Sequence, residues 1–544
     1  MTAAAPAVDL ILYNAEFHTQ DPAQPRARAL AAADGRIVAV GDNDAVRALA
    51  TPRTTRIDLQ NRLGLPGFID THFHFYEWAL GRRNADLAGV KNFDDCLAAV
   101  SRLAQRRPKG RWVVGQGFNE SDWPENRMPL RRDLDRIAPA HPVVIWRCDL
   151  HLAVANSAAL KHAGIDRTTP DPPEGRIEKD IDGRPTGVLR ELAINLVKKA
   201  MPPVTSAAAA DAIAEAVPAA HALGLTGIHD VRLMGGAEGA AAMGAWQLCR
   251  ERGRLPLRTW VTIPGESLDA AVALGLRSGC GDHRLRIGHV KFFADGGMGA
   301  RTAWVIEPYR DAQYGMPLTP MPALENAVLK AHRHGLAVMI HAVGDRTVRE
   351  LIKVFESLNR QTRKKTPPQP PPVMPHRIEH VQMIRPEDVP RLAGVGIMAS
   401  VQPANLVLDI NMIDECLGPN GVHTYAFQRL LDAGIDVCLS SDAPVCDPDP
   451  LVGIHAAVTR RRADGTPAGG WYADQRLSVP QAVMRYTRMP AIAGGALQNL
   501  GTISVGKRAD VIVLDKNIFE INPADILDSR VGMTVFNGKV VYRG

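Results

Sequence analysis

In the stretch GFIDTHFHF, residues 67–75, an apolar run ends in Asp70 and two histidines one residue apart. Successive side chains on a strand point to opposite faces, so His72 and His74 share a face and stand about 6–7 Å apart along the backbone. Two imidazoles aimed at one point can hold one metal ion, with each nitrogen about 2.0–2.1 Å from a first-row cation. An isolated H-x-H is more often a pair of strand-end histidines bonded to backbone, so the metal reading needs further ligands. The sequence offers His341 in MIHAVGDR, His380 in RIEHVQ, Lys291 in HVKFFADGG and Asp442 in LSSDAPV.

Each of these groups lies near the C-terminal end of a short apolar run, and such runs alternate with helical patterns, the signature of parallel βα units. Strand candidates start at residues 67, 226, 257, 290, 337, 376, 397 and 436. Eight of them predict an α/β fold, a (β/α)8 TIM-like barrel over 66–499, whose chemistry sits at the C-terminal strand ends. The count requires residues of about 80–215 to be an insertion after the first barrel strand. This segment has strand-like pieces of its own, WVVGQGF and VVIWRCDLH, and a polar hairpin, GRIEKDIDGRPTG. At both chain ends short apolar–polar alternations occur around Gly35 and around the Asn537–Gly538 turn. An isolated two-stranded ribbon is marginal in water. Residues 1–65 and 500–544 are therefore expected to join in one small β-sandwich domain.

Composition narrows the classes. The 544 residues are 46% hydrophobic and 22% charged, ordinary for a globular protein with ample core. A net charge of +6 is scattered, and nucleic-acid binding would want a concentrated basic stripe. The one basic cluster, RQTRKKTPPQPPPVMPH at 360–376, runs into prolines and reads as a solvated loop. Seven cysteines without a C-x-x-C pair point to reduced thiols in a cytoplasmic setting. No signal peptide is expected, because the N-terminus MTAAAPAVDLILYNAEF has no basic n-region leading a long apolar h-region, and no membrane span, because no uninterrupted apolar stretch reaches roughly 18 residues.

Taken together, PGFIDTHFHF, HVKFFADGG, MIHAVGDR, RIEHVQ and LSSDAPV resemble, in chain order, the metal-binding signatures of the amidohydrolase superfamily. The N-substituted formamide deformylase-like branch is the closer likeness, through MPLRRDLDRIAPAHPVVIWRCDLHLAVANSAAL, GRPTGVLRE and LGTISVGKRADVIVLD. The resemblance implies two divalent metal ions, zinc first, with iron or manganese as alternatives. His72, His74 and Asp442 would hold one ion and His341 and His380 the other. Lys291, carboxylated to a carbamate, would bridge them, since an ammonium has donors and no acceptor. The implied chemistry is attack of a metal-bound hydroxide on the carbonyl of an N-acyl or N-formyl amide, with Asp442 moving the proton. The implied partner is a small-molecule amide, and the family's habits allow a homodimer.

Each assignment has a plainer alternative. Lys291 could pair with Asp295, His341 and His380 could be core histidines, and Asp442 could cap a turn. Outside the metal ligands, His151 in the insertion could hold the oxyanion or merely touch Asn156. Glu120 and Trp123 could wall the substrate pocket or only pack the insertion. Arg301 could face a polar part of the substrate or form a surface ion pair. Asp345 and Glu379 are expected to fix imidazole orientation. Competing functions are an esterase or carbamate hydrolase with the same site, a non-catalytic barrel scaffold, and a nucleobase deaminase. The deaminase suits one metal without a lysine bridge, so Lys291 tells against it.

Overall fold

The computed structural model describes residues 7–148, 152–173, 175–235, 238–363 and 371–544. The chain divides into two compact units, one of residues 1–75 and 217–544 and one of residues 76–216.

The first unit contains the barrel. Its strands are β1 (Phe68–Phe73), β2 (Leu225–Asp230), β3 (Arg258–Pro264), β4 (Leu285–Phe293), β5 (Val338–Ala342), β6 (Arg377–His380), β7 (Met398–Val401) and β8 (Val437–Leu439). They pair in sequential order, all parallel. Strands buried on both faces read as continuous apolar runs, and β5, β6, β7 and β8 are nearly or wholly buried along their length. Gly67, which leads into β1, is required by close approach: a Cβ there would lie 2.3 Å from the Thr226 hydroxyl on the neighbouring strand. Helices Gly239–Glu251, Leu268–Ala273, Met321–Arg333, Asp345–Arg363, Val389–Val395 and Pro403–Cys416 connect the strands.

The same unit carries two further sheets from the chain ends. One joins Leu10–Tyr13, Ala29–Ala33, Arg36–Gly41 and Thr55–Asp58; the other joins Leu63–Pro66, Glu16–His18 and Arg26–Ala27 to Val511–Leu514, Val531–Phe536 and Lys539–Arg543. Leu63–Pro66 pairs antiparallel with Val511–Leu514, so the two ends share one sheet over a common core of Leu12, Phe17, Leu30, Val511 and Val535. The closing hairpin turns at Asn537 and Gly538, both with positive φ, as a two-residue turn of matching twist requires. Buried Arg258, at the start of β3, bonds both oxygens of Asp510, one of them at 2.8 Å, and ties this domain to the barrel base.

The second unit is built on six strands in the order Gly175–Lys179, Pro185–Glu191, Leu152–Ala155, Val143–Arg147, Val113–Phe118 and Ala85–Asp86. The helix Phe93–Arg106 packs its apolar face into that unit's own core. Among the described residues no helix is long and apolar enough to cross a membrane. All seven cysteines are free thiols. Of the basic cluster at 360–376, residues 364–370 lie outside the described residues.

Candidate metal centre

The barrel's seam is built around the H-x-H pair. Buried Asp70, in mid β1, accepts hydrogen bonds from the backbone of His72 at 3.0 Å and of Ser441 at 3.1 Å. Burial, only partly offset by those donors, pushes its carboxyl up to about 7. Beyond it, the Asp442 N–H donates to the His72 carbonyl and the His74 N–H to the Ala443 carbonyl, each at 2.8 Å. These bonds lock the turn after β8 onto the end of β1, and Asp442 takes the left-handed conformation, φ 61°. A non-glycine residue held there, in a turn bonded on both sides, marks a position fixed for its side chain.

The side chains converge. His72 lies 5.4 Å from His74 and 5.0 Å from His380, ring centre to ring centre, and His380 lies 4.4 Å from His341. His72, His380 and Asp442, all buried, each offer one ligand atom, and the three atoms lie within 4.8 Å of one another. Asp442 Oδ1 sits 3.3 Å from the Nε2 of both His72 and His74.

Hydrogen bonds on the far side of each ring fix the tautomers. His72 Nδ1 faces Glu379 Oε2 at 2.7 Å, and His74 Nδ1 faces the Val231 carbonyl at 2.9 Å. Both oxygens are acceptors, so Nδ1 carries the proton in each ring and Nε2 presents a lone pair. His380 Nδ1 faces Gln402 Oε1 at 2.8 Å, and the Gln402 amide orientation is set by donation to the Ser400 carbonyl and the Ser440 hydroxyl. His341 is turned the other way: Nε2 faces the Gly296 carbonyl at 3.2 Å, leaving Nδ1 as its acceptor. Burial, reinforced by neighbouring cations, holds His72 and His380 well below the ordinary imidazole range, so both rings are neutral at physiological pH. Two lone-pair nitrogens thus meet a carboxylate oxygen at 3.3 Å, an arrangement that calls for a cation between them.

Lys291, on β4, is 2% exposed, and its Nζ has no hydrogen-bond partner among the described residues. The amine lies 4.5 Å from the Phe293 ring centre. Burial brings it down to about 8, against the pull of Glu379 and Asp442. Asp442 is also lowered, but this favours its charged form: burial would raise it, and His72, His74 and Lys291 together hold it at about 2. It is therefore an ionised acceptor throughout the neutral range.

This geometry can be set beside known proteins. The profile of the amidohydrolase family matches residues 55–542. The chain belongs to the amidohydrolase family. Among its relatives, YtcJ of Bacillus subtilis (strain 168) is 31% identical over 522 residues, 95% of this chain and 96% of that one. The N-substituted formamide deformylase of Arthrobacter pascens is 28% identical over 549 residues, 98% of each chain. An uncharacterized metal-dependent hydrolase of Pyrococcus horikoshii has a solved structure that superposes with a TM-score of 0.77 at 26% identity, covering 94% of this chain and 99% of that one. The amidohydrolase is a hydrolase by descent. Its donor set fits a divalent cation, because the acceptor nitrogens, the ionised carboxylate and an orphaned buried amine face one another.

Several expected residues lie elsewhere or have other partners. Asp295 does not pair with Lys291: its carboxylate accepts from the backbone of Val343, Gly344 and Trp304 and from the Thr347 hydroxyl. Asp345, expected to fix an imidazole, instead accepts the Ile306 N–H at 2.8 Å and pairs with Arg385. Arg301 forms the surface ion pair, with Nη2 2.8 Å and Nε 2.9 Å from the two Asp311 oxygens. In the second unit Glu120 pairs with Arg147 at 3.0 Å. Trp123 is 3% exposed in that unit's core, its indole N–H donating to the Val90 carbonyl at 3.0 Å. His151 lies outside the described residues. Sequence reasoning missed Asp70 and Gln402. Asp70 stood in the quoted H-x-H stretch, whereas nothing local in SVQPAN marks Gln402 as facing a histidine.

Proposed function

We propose that the protein is a metal-dependent amidohydrolase that cleaves a C–N bond outside a peptide chain, in an N-acyl or N-formyl amide. The observation that carries this reading is the confrontation of acceptor atoms at 3.3 Å, His72 and His74 Nε2 against Asp442 Oδ1, beside the orphaned amine of Lys291. The full-length likeness to an N-substituted formamide deformylase supports the substrate class.

His72, His74 and Asp442 would hold one divalent ion and His341 and His380 a second, zinc being the first choice for imidazole and carboxylate ligands. Lys291 would bridge them after its neutral amine adds to carbon dioxide: the nitrogen lone pair forms the N–C bond as one C=O π pair moves onto oxygen, an N–H proton passes to water, and an anionic carbamate results. An amine brought down to about 8 has a usable neutral fraction near pH 7. Bound divalent ions polarise the amide carbonyl and acidify water at neutral pH.

The remaining work falls to the chain. Asp442, ionised well below neutrality, accepts a proton from the attacking water and returns it to the leaving nitrogen as the C–N bond breaks. Glu379 and Gln402 keep Nδ1 protonated in His72 and His380, so their Nε2 atoms stay acceptors. Metal analysis of the purified protein, intact mass at Lys291 and turnover of a panel of formamides and acetamides test the reading. Stoichiometric divalent metal with release of free amine is expected. A metal-free protein that releases no amine from any of them would overturn it.

A further inference from the structure

A polar cluster one helical turn from Asp442 is used by none of this chemistry. On the helix Pro403–Cys416, Asn405 and Asp409 are four residues apart and so lie about 5–6 Å from each other on one face. Asn405 approaches Asp442 Oδ2 at 3.5 Å. Asp409 Oδ2 accepts two donors, the Tyr425 phenol at 2.6 Å and Gln382 Nε2 at 2.8 Å. Burial raises Asp409 to about 6, so at neutral pH it remains a carboxylate and an acceptor. The amide group of Gln382 facing it is therefore the NH2, and Gln382 Oε1 is turned away. No protein group satisfies that oxygen among the described residues, and it is not among the sealed buried atoms.

The backbone is shaped around this side chain. Gln382 follows His380 by two residues, and His380 and Val381 both have positive φ, 72° and 40°. Tyr425, with φ 49°, donates its N–H to the Gln382 carbonyl at 2.8 Å. Three non-glycine residues in left-handed conformations, one of them β-branched, are costly and cluster where a side chain must be aimed.

Resting on the proposed amidohydrolase reading, we infer that Gln382, oriented by Asp409 and Tyr425, accepts the N–H of the scissile amide and so selects secondary amides over esters and tertiary amides. An ester oxygen in the same place would set acceptor against acceptor. An N-methyl group would displace the contact. Discrimination of this kind comes from leaving a site acceptor unpaired by the wrong substrate.

The test compares N-butylformamide, N-butyl-N-methylformamide and butyl formate on the metal-loaded wild type and on Gln382→Met and Asp409→Asn. The ratio of kcat/KM between secondary amide and ester is the readout, so any loss of folded enzyme cancels. The ratio is expected to fall about tenfold in Gln382→Met, as for one lost hydrogen bond. Asp409→Asn, which frees the amide to flip, should give part of that fall. A ratio unchanged in Gln382→Met, with wild-type amide turnover intact, overturns this inference alone. A wild type that cleaves the ester but neither amide, or none of the three, overturns the amidohydrolase reading and this inference with it.

Discussion

Glu379 is the most demanding position in the site, because it serves two donors at once. Its Oε2 accepts from His72 Nδ1 at 2.7 Å and its Oε1 from Arg377 Nε at 3.0 Å, and both acid and guanidinium are fully buried. In Glu379→Gln one oxygen must serve two donors. If it faces Arg377, the new NH2 meets His72 Nδ1, which must give up its proton to Nε2 and cease to be a ligand. If it faces His72, the NH2 confronts Arg377. Either way Arg377 is left as a buried cation without a counter-charge, at a cost of about 3–5 kcal/mol. Loss of the imidazole's partner costs a further ~10–100-fold in metal affinity, about 1.4–2.7 kcal/mol. Differential scanning calorimetry reads the first effect as a thermal midpoint lower by several degrees. Chelator competition followed by elemental analysis reads the second. In Arg377→Met/Glu379→Gln the amide oxygen is free to accept from His72, and metal retention should return. A single Glu379→Gln variant with wild-type midpoint and wild-type metal retention would refute the two-donor argument.

If Asp442 takes the proton as proposed, Asp442→Asn should retain metal in part through His72 and His74 yet lose ~10²–10⁴-fold in kcat, measured on the best formamide. Gln402→Leu removes the acceptor of His380 Nδ1, and elemental analysis after dialysis should show loss of metal toward one ion per chain with the fold unchanged by circular dichroism. For Lys291 the sign follows from its lowered value: between pH about 8 and 10.5 the unfolded chain binds more protons than the folded one, so stability of the chelated, uncarboxylated protein rises with pH across that window. The full shift corresponds to about 3 kcal/mol, and Lys291→Met should flatten this part of a thermal-midpoint profile from pH 7.5 upward.

The barrel was legible because most of its strands are buried on both faces and read as short apolar runs with a polar group at the C-terminal end; β4, half-buried at its start, begins at Leu285 rather than at the expected 290. The starts expected at 337, 376, 397 and 436 fall within a residue or two of β5 to β8. The candidate ligands were legible for the same reason, as residue types at strand ends, and the structure brings ligand atoms of His72, His380 and Asp442 within 4.8 Å of one another. What surrounds these side chains was not. Glu379 could be anticipated beside His380, but its imidazole is His72, more than 300 residues away, because successive side chains on β6 point to opposite faces. Asp295 and Asp345 follow β4 and β5 and look like ligand partners in sequence. Both instead cap backbone N–H groups of the loop 294–320, a task with no local signature. Gln402 reaches His380 only because adjacent parallel strands place their tips side by side. Trp123 and Arg301 carry the residue types expected of a pocket, yet one fills a core and the other finds Asp311 ten residues on.

Shared ownership of one sheet by the two chain ends has a consequence for biosynthesis. Leu63–Pro66 leads within two residues into β1, yet its antiparallel neighbour, Val511–Leu514, leaves the ribosome some 446 residues later, the interval between Leu65 and Val511. At ~5–20 residues per second that edge waits on the order of 20–90 s without its mate. An unpaired apolar edge recruits other chains. The nascent polypeptide is thus most exposed to misassociation just before Val511–Leu514 emerges, and a nonsense codon shortly ahead of that strand should send the product to aggregates or proteases even though His72, His380 and Asp442 are all already made.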